Sequence, residues 1–410
     1  MRNFRFTQLA NGLRVVTEQI SHVESAALGI WVAGGLEIEP DRTLGISHYL
    51  EHMLFKGTKR HNARQISEEI DSIGGHLNGY TDREYVCLYV QLLGEYLPRA
   101  VDILFDMALE SKMTPLDIER EREVIIQESR RLEDSPEEYI HDLAVEVAWQ
   151  NHPLGRSIHG TEESINAITR RDLLAYYKSI YRPNRMLVAA AGAVNHDQLV
   201  EMVARVTEGL PQGEVRESLP APQFFSEEKR LNRSTEQVHL CIVMPGYAQA
   251  DEKRYAYALF DTILGDSTSS RLFQEIREKR GLAYSIGSYS LSSRNGGLFF
   301  INVGTSKENL AQVMGLIQKE LDKFHKKGPT EKELAWAKAY VKGSLALARE
   351  STSFRMQRIA NSMLYEGRVL SHQKLIDKFE KLTIEELRDT AERIFSARPT
   401  IVAMGPVEEK

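Results

Sequence analysis

The chain has 410 residues, 42% of them hydrophobic and 27% charged, with a formal net charge of −6. It is too long for one ordinary core and too balanced for a disordered or fibrous chain, so two or three globular domains are expected. No Lys/Arg stripe stands clear of compensating acids, which argues against a nucleic-acid partner, and no apolar run nears the roughly 20 residues of a membrane span.

The opening stretch, MRNFRFTQLANGLRVVTEQ, lacks the apolar region of a signal peptide, and the alternation after Asn11-Gly12 predicts a turn and a strand. A cytoplasmic protein without membrane contact is the expectation. An apolar strand (SAALGIWVAGG) and a helix (GISHYLEHMLFKG) come next. QISEEIDSIGGHLNGYT then passes from helix through glycine into a strand. A further strand (EYVCLYVQLL) leads to a long helix (LPRAVDILFDMALES). A second long helix follows, its start marked by Thr114 and the proline after it. The stretch Leu210 to Ser234, with three prolines and no clean period, reads as a linker. Beyond it the same succession returns: VHLCIVMPGY, YAYALFDTILGD, RLFQEIREKRGLAYSIG, GGLFFINVGT, LAQVMGLIQKELDKF and a helix starting at Thr330. The predicted fold is α+β, a duplication of two similar halves, each a largely antiparallel sheet packed with helices. The halves are placed at 1–212 and 233–410, with a linker at 213–232. Cys87 and Cys241 lie in apolar strand-like runs and are read as reduced core residues.

Chemistry concentrates in ISHYLEHMLFKGT, residues 46–58. Positions four apart share a helix face, so His48 and His52 aim two imidazoles at one point. Glu51 lies on the same side but offset, where a carboxylate reaches a metal-held water without being a ligand; this is the H-x-x-E-H order. The helix is otherwise apolar, and it gains little by burying two imidazoles and a carboxylate unless something satisfies them. Catalytic zinc takes three protein ligands plus water, so one ligand must come from elsewhere. Glu128, on the helix after Thr114, is the best candidate. Glu121 sits two turns earlier on nearly the same face, so one carboxylate can ligate while the other orients a ligand. With Thr114 and Thr330 in register, Glu128 falls opposite Ser344, and the helix ALFDTIL of the second half has no histidine. One active site on a duplicated scaffold would show that asymmetry.

At these residues the chain resembles the pitrilysin family of zinc peptidases, most closely its processing-peptidase branch. HYLEHMLFKGT is similar to the inverted zinc motif, EREVIIQES to the segment supplying the third ligand, and GGHLNGYTDRE to a glycine-asparagine segment of the catalytic half. NHPLGRSIHGTEESI, YRPNRMLVAAAG and, in the second half, ESTSFRMQRIANSMLYEGR also look like family segments. The resemblance implies one zinc ion per chain, replaceable by other divalent metals, on His48, His52 and Glu128. Glu51 would be the general base and Glu121 a supporting carboxylate at the catalytic site. Asn78 and Gly79 would lie on an edge strand beside the scissile bond. REKRGLAY resembles an Arg-to-Tyr element that places Arg277 and Tyr284 against the substrate. It implies, finally, half of a clamshell: a homodimer closing a chamber around peptides or unstructured segments, with Arg277 and Tyr284 acting across the interface. The competing reading is a non-catalytic subunit, but such chains lose parts of the motif, which is intact here. Nothing in the chain supports a metalloenzyme for a non-peptide substrate.

Overall fold

A computed structural model describes residues 4–214 and 219–408. Residues 215–218 of the expected linker lie outside the described residues. The chain forms two compact units.

The sheet of the first unit has the order β1-β2-β6-β3-β5-β4. Its strands are β1 Phe4–Gln8, β2 Arg14–Gln19, β3 Ser25–Ala33, β4 His76–Thr81, β5 Tyr85–Leu93 and β6 Met186–Gly192. Neighbours run antiparallel except β2 and β6. The sheet of the second unit contains β7 Glu228–Asn232, β8 Val238–Pro245, β9 Ala283–Ser292, β10 Gly297–Thr305 and β11 Thr400–Gly405. Its order is β7-β11-β8-β10-β9, parallel only between β7 and β11. The run β2-β6-β3-β5-β4 matches β7-β11-β8-β10-β9 in order and direction, so the duplication read from the sequence is a duplicated sheet.

Strand β3 shows why its sequence is a continuous apolar run. Leu28, Ile30 and Val32 pack into a core with Tyr49, Leu50, Met53 and Leu104. On the opposite face Ala27 and Trp31 pack with Met356, Ile359 and Ala360. A strand covered on both faces loses polar alternation.

The covering helix on that second face, Thr352–Tyr365, comes from the second half of the sequence. The first unit comprises Met1–Ser129, Ser157–Ser218 and Ala346–Leu370; the second takes Arg130–Arg156 along with Leu219–Leu345 and Ser371–Lys410. Within the second unit the helix Pro136–Ala148 lays Ile140, Leu143, Ala144 and Val147 on Cys241, Val243, Phe300 and Val402. The units therefore depart from the contiguous spans 1–212 and 233–410: each sequence half supplies a covering helix to the other sheet. Periodicity marks such a helix as apolar on one side, but it does not say which sheet receives it. Strand β7 likewise forms inside the span read as linker, because EKRLN is too polar and too short to show a strand period.

A buried ion pair ties the exchanged helix to the first sheet. Arg355 Nη1 donates to Glu18 Oε1 at 2.7 Å, with side chains 9% and 5% exposed. Arg358 Nη2 lies 3.5 Å from the other Glu18 oxygen and leaves the carboxylate a partner, so Arg355→Met, which removes the shorter bond, is expected to destabilise the first unit by about 1.5–3 kcal/mol. A loss under about 1 kcal/mol in a urea titration would contradict this account.

Cys87 and Cys241 are buried free thiols, and burial pushes both thiol pKa values up. Among the described residues, no helix is long and apolar enough to cross a membrane.

Candidate metal centre

The helix Ile46–Leu54 carries the two histidines, and its start is unusually well held. Gly45 precedes it with φ +88°, and a Cβ there would sit 2.8 Å from the carbonyl oxygen of His159. The Glu39 carboxylate accepts from the backbone N–H of Gly45 (2.7 Å) and of Ser47 (3.0 Å), satisfying donors that the helix leaves open. Tyr49 on the buried face donates its hydroxyl to the carbonyl of Ile118, and Arg122 lies over the Tyr49 ring at 5.6 Å. Both partners belong to the helix Pro115–Glu133, which is thereby docked with its carboxylates toward the histidines.

The rings of His48 and His52 are 4.7 Å apart. Glu128 Oε2 lies 3.8 Å from His48 Nε2 and 3.5 Å from His52 Nε2. One ligand atom from each of the three lies within 4.8 Å of the others; among the described residues this is the one such group of three or more His, Cys, Asp or Glu. Glu121 does something different. Its Oε2 is 3.1 Å from His52 Nδ1, and its Oε1 is 2.7 Å from Lys56 Nζ. A carboxylate accepting from Nδ1 keeps the proton there and leaves Nε2 bare toward the cluster. Burial, then the neighbouring His52 and His159, pull the pKa of His48 down to about 3. It is therefore neutral, the form a metal ligand requires. Two Nε2 atoms facing one carboxylate oxygen are a donor set that fits zinc.

Glu51 points beside this cluster. Its Oε2 accepts from Thr81 Oγ1 at 2.6 Å, and Thr81 is the last residue of β4. Burial raises the Glu51 pKa, and the Thr81 hydrogen bond opposes the rise. Removing that bond with Thr81→Val is expected to raise it further. The acidic limb of a pH–activity profile should then move to higher pH; a shift to lower pH would contradict this placement.

β4 is an edge strand, paired on one side with β5 through Asn78↔Tyr89 and Gly79↔Leu88. A Cβ on Gly79 would meet Leu88 Cδ2 and Phe55 Cε2 at 3.1 Å, so a larger residue there would need both side chains to give by a few tenths of an ångström. An open groove of about 850 Å³ runs beside it, lined by Phe55, Leu77, Asn78, Tyr89 and Gln91 among others. Arg277 and Tyr284 belong to the second unit. Arg277 sits on the helical turn Phe273–Glu278, with its guanidinium 5.5 Å from the ring of Tyr284 on edge strand β9. Tyr284 is 76% exposed.

Residues 14–162 match the insulinase (peptidase family M16) signature, and residues 167–341 match the peptidase M16 inactive domain. An uncharacterized zinc protease of Streptomyces coelicolor is 36% identical over 416 residues, which cover 99% of this chain and 90% of that protein. The chain belongs to peptidase family M16. An uncharacterized zinc protease of Bacillus subtilis is 35% identical over 396 residues, 97% of each chain. Two solved structures share the fold. A peptidase M16 inactive domain from Pseudomonas fluorescens has a TM-score of 0.93 at 20% identity, covering 100% of this chain and 99% of that one. A protease from Helicobacter pylori has a TM-score of 0.90 at 20% identity, covering 98% and 99%. M16 is the pitrilysin family that the motifs resemble. The two M16 signatures divide where the histidine asymmetry does. His48, His52 and Glu128 lie in the first, and the helix Arg254–Asp261, without histidine, lies in the second.

Three residues at this M16 site escaped the sequence reading. Lys56 follows His52 by four positions, a spacing that already places it near anything touching His52. Thr81 stands in GGHLNGYTDRE, the segment singled out for Asn78 and Gly79. His159 stands in NHPLGRSIHGTEESI, a stretch read only as a likeness.

Proposed function

We propose that this chain is a zinc-dependent endopeptidase of the processing-peptidase type, acting on peptides or unstructured segments as a cytoplasmic homodimer. The observation carrying the reading is the convergence of His48, His52 and Glu128 beside an edge strand whose last residue holds Glu51. His48 Nε2, His52 Nε2 and Glu128 would hold one zinc ion per chain. When bound, zinc polarises a peptide carbonyl and acidifies its water. Glu51, with Oε2 held by Thr81, keeps Oε1 for the proton it takes from water and returns to the leaving amine nitrogen. Burial raises its pKa above the ordinary carboxylate value, the direction that favours holding a proton between the two transfers.

The free edge of β4 offers backbone donors and acceptors to an extended peptide, which gives affinity with little demand on sequence. A folded protein cannot present such a strand, so unstructured segments are the substrate class. The exposed Tyr284 and the half-buried Arg277 beside it are a donor set for negative charge developing on the scissile carbonyl, supplied from a partner chain in the closed chamber.

The zinc-loaded protein should make internal cuts in a reduced, carboxymethylated polypeptide and spare its folded form, as read by mass spectrometry. A chelator should stop the cutting. No cleavage, or cleavage indifferent to chelator, overturns the proposal. Light scattering should give the mass of two chains; the mass of one removes the dimer.

A further inference from the structure

The two histidines of the motif are held unequally. His52 rests on a carboxylate through Nδ1, as described, and that contact orients its ring. His48 has no such support: its Nδ1 is buried and has no hydrogen-bond partner, although its Nε2 faces Glu128. A buried ring nitrogen without a partner is costly and leaves the ring free to present either nitrogen. Besides His52, the ring packed against it is that of His159. The rings of His48 and His159 lie 4.9 Å apart at 76°, and the Nδ1 of His159 is likewise buried and unpartnered.

The backbone holds His159 at this place. Gly160, φ +71°, approaches so closely that a Cβ would sit 2.3 Å from the carbonyl oxygen of Leu44. The carbonyl oxygen of His159 in turn lies 2.8 Å from where a Cβ of Gly45 would be. Ser164 Oγ donates to Leu44 O at 2.8 Å, and Thr161 Oγ1 caps the helix Glu162–Ala167 by accepting from Ser164 N at 3.1 Å. Two glycines and a cap thus clamp the 159–161 turn against the start of the motif helix, less than a turn before His48. With its backbone fixed there, His159 keeps its ring against that of His48, and each ring carries a buried Nδ1 without a partner.

We propose that His159 is a positioning residue for His48, one water bridging the two Nδ1 atoms, so that Nε2 of His48 is turned to the metal. It does for His48 what Glu121 does for His52, with a neutral imidazole in place of a carboxylate. The inference rests on the zinc reading proposed above.

The test measures zinc affinity by competition with a chromophoric chelator, so no turnover is needed. His159→Leu keeps comparable bulk and removes both nitrogens. It should weaken zinc binding by about 10–100-fold, the usual cost of losing a residue that orients a ligand, with circular dichroism unchanged. His159→Gln, which retains a donor and an acceptor, should recover most of that loss. The cobalt-substituted Leu variant should also show a changed visible spectrum. If His159→Leu binds zinc within about twofold of the wild type, the inference falls. It falls too if Gln loses as much as Leu, because bulk and not a nitrogen would then be what matters. Should the Leu variant fail to fold, His159→Ala is read against Gln by the same criteria. His52→Ala serves as the control: if that variant keeps full zinc, the metal reading fails rather than the role of His159.

Discussion

Glu51→Gln is expected to lower kcat/KM for peptide cleavage by about 10²–10⁴-fold while zinc stays bound at the wild-type level. Glutamine keeps the shape and can still meet Thr81, but it cannot take a proton from water. The same substitution carries a second, opposite expectation. Burial raises the Glu51 pKa, so in the metal-free protein its ionised form is disfavoured on folding. A raised folded pKa contributes stability below the unfolded value and loses it as pH rises through the folded one. At pH 8 the metal-free wild type therefore bears a cost that the glutamine variant lacks. The variant should melt at a higher temperature there, and the difference should shrink toward pH 4. Cleavage at the wild-type rate would remove Glu51 as the base. A melting temperature lower than wild type at pH 8 would show that the charge is stabilised where it sits.

How much of this could be read beforehand depends on what kind of signal each feature leaves. The motif helix was legible because its ligands lie within one turn and their spacing is set by helix geometry alone. The duplicated sheets were legible because strands buried on both faces leave apolar runs, such as that of Trp31 and its neighbours, that repeat in order. The helices Pro136–Ala148 and Thr352–Tyr365 were not read, the second being singled out only as a family-like segment, and an apolar stripe names no recipient sheet in any case. Lys56, Thr81 and His159 were out of reach for a related reason. Their roles arise from contacts to other side chains, and each has a residue type that serves equally well on an ordinary surface. Glu128 was preferred to Glu121 as the third ligand on the family likeness, because two turns apart they share a face and spacing alone does not separate them; the nitrogen each one meets does.

That choice makes the second large prediction. Glu128 approaches the Nε2 atoms of both histidines, whereas Glu121 meets Nδ1 of His52 and is engaged by Lys56 through its other oxygen. Loss of a ligand should therefore cost more than loss of the carboxylate that orients one. His52→Ala and Glu128→Gln should each weaken zinc binding by more than about 10²-fold, and Glu121→Gln by about 10–100-fold. Because metal bound to the folded state stabilises it by about 4 kcal/mol at a thousand times Kd, zinc should raise the melting temperature of the wild type clearly. The rise should be smaller in Glu121→Gln and absent in His52→Ala. The wild type stripped by a chelator should lose activity and regain it with zinc. Full metal retention in His52→Ala would dissolve the site. A Glu121→Gln variant hit harder than Glu128→Gln would exchange the two carboxylates, making the buried one the ligand and leaving the more exposed one, 43% accessible, to a supporting place at the rim.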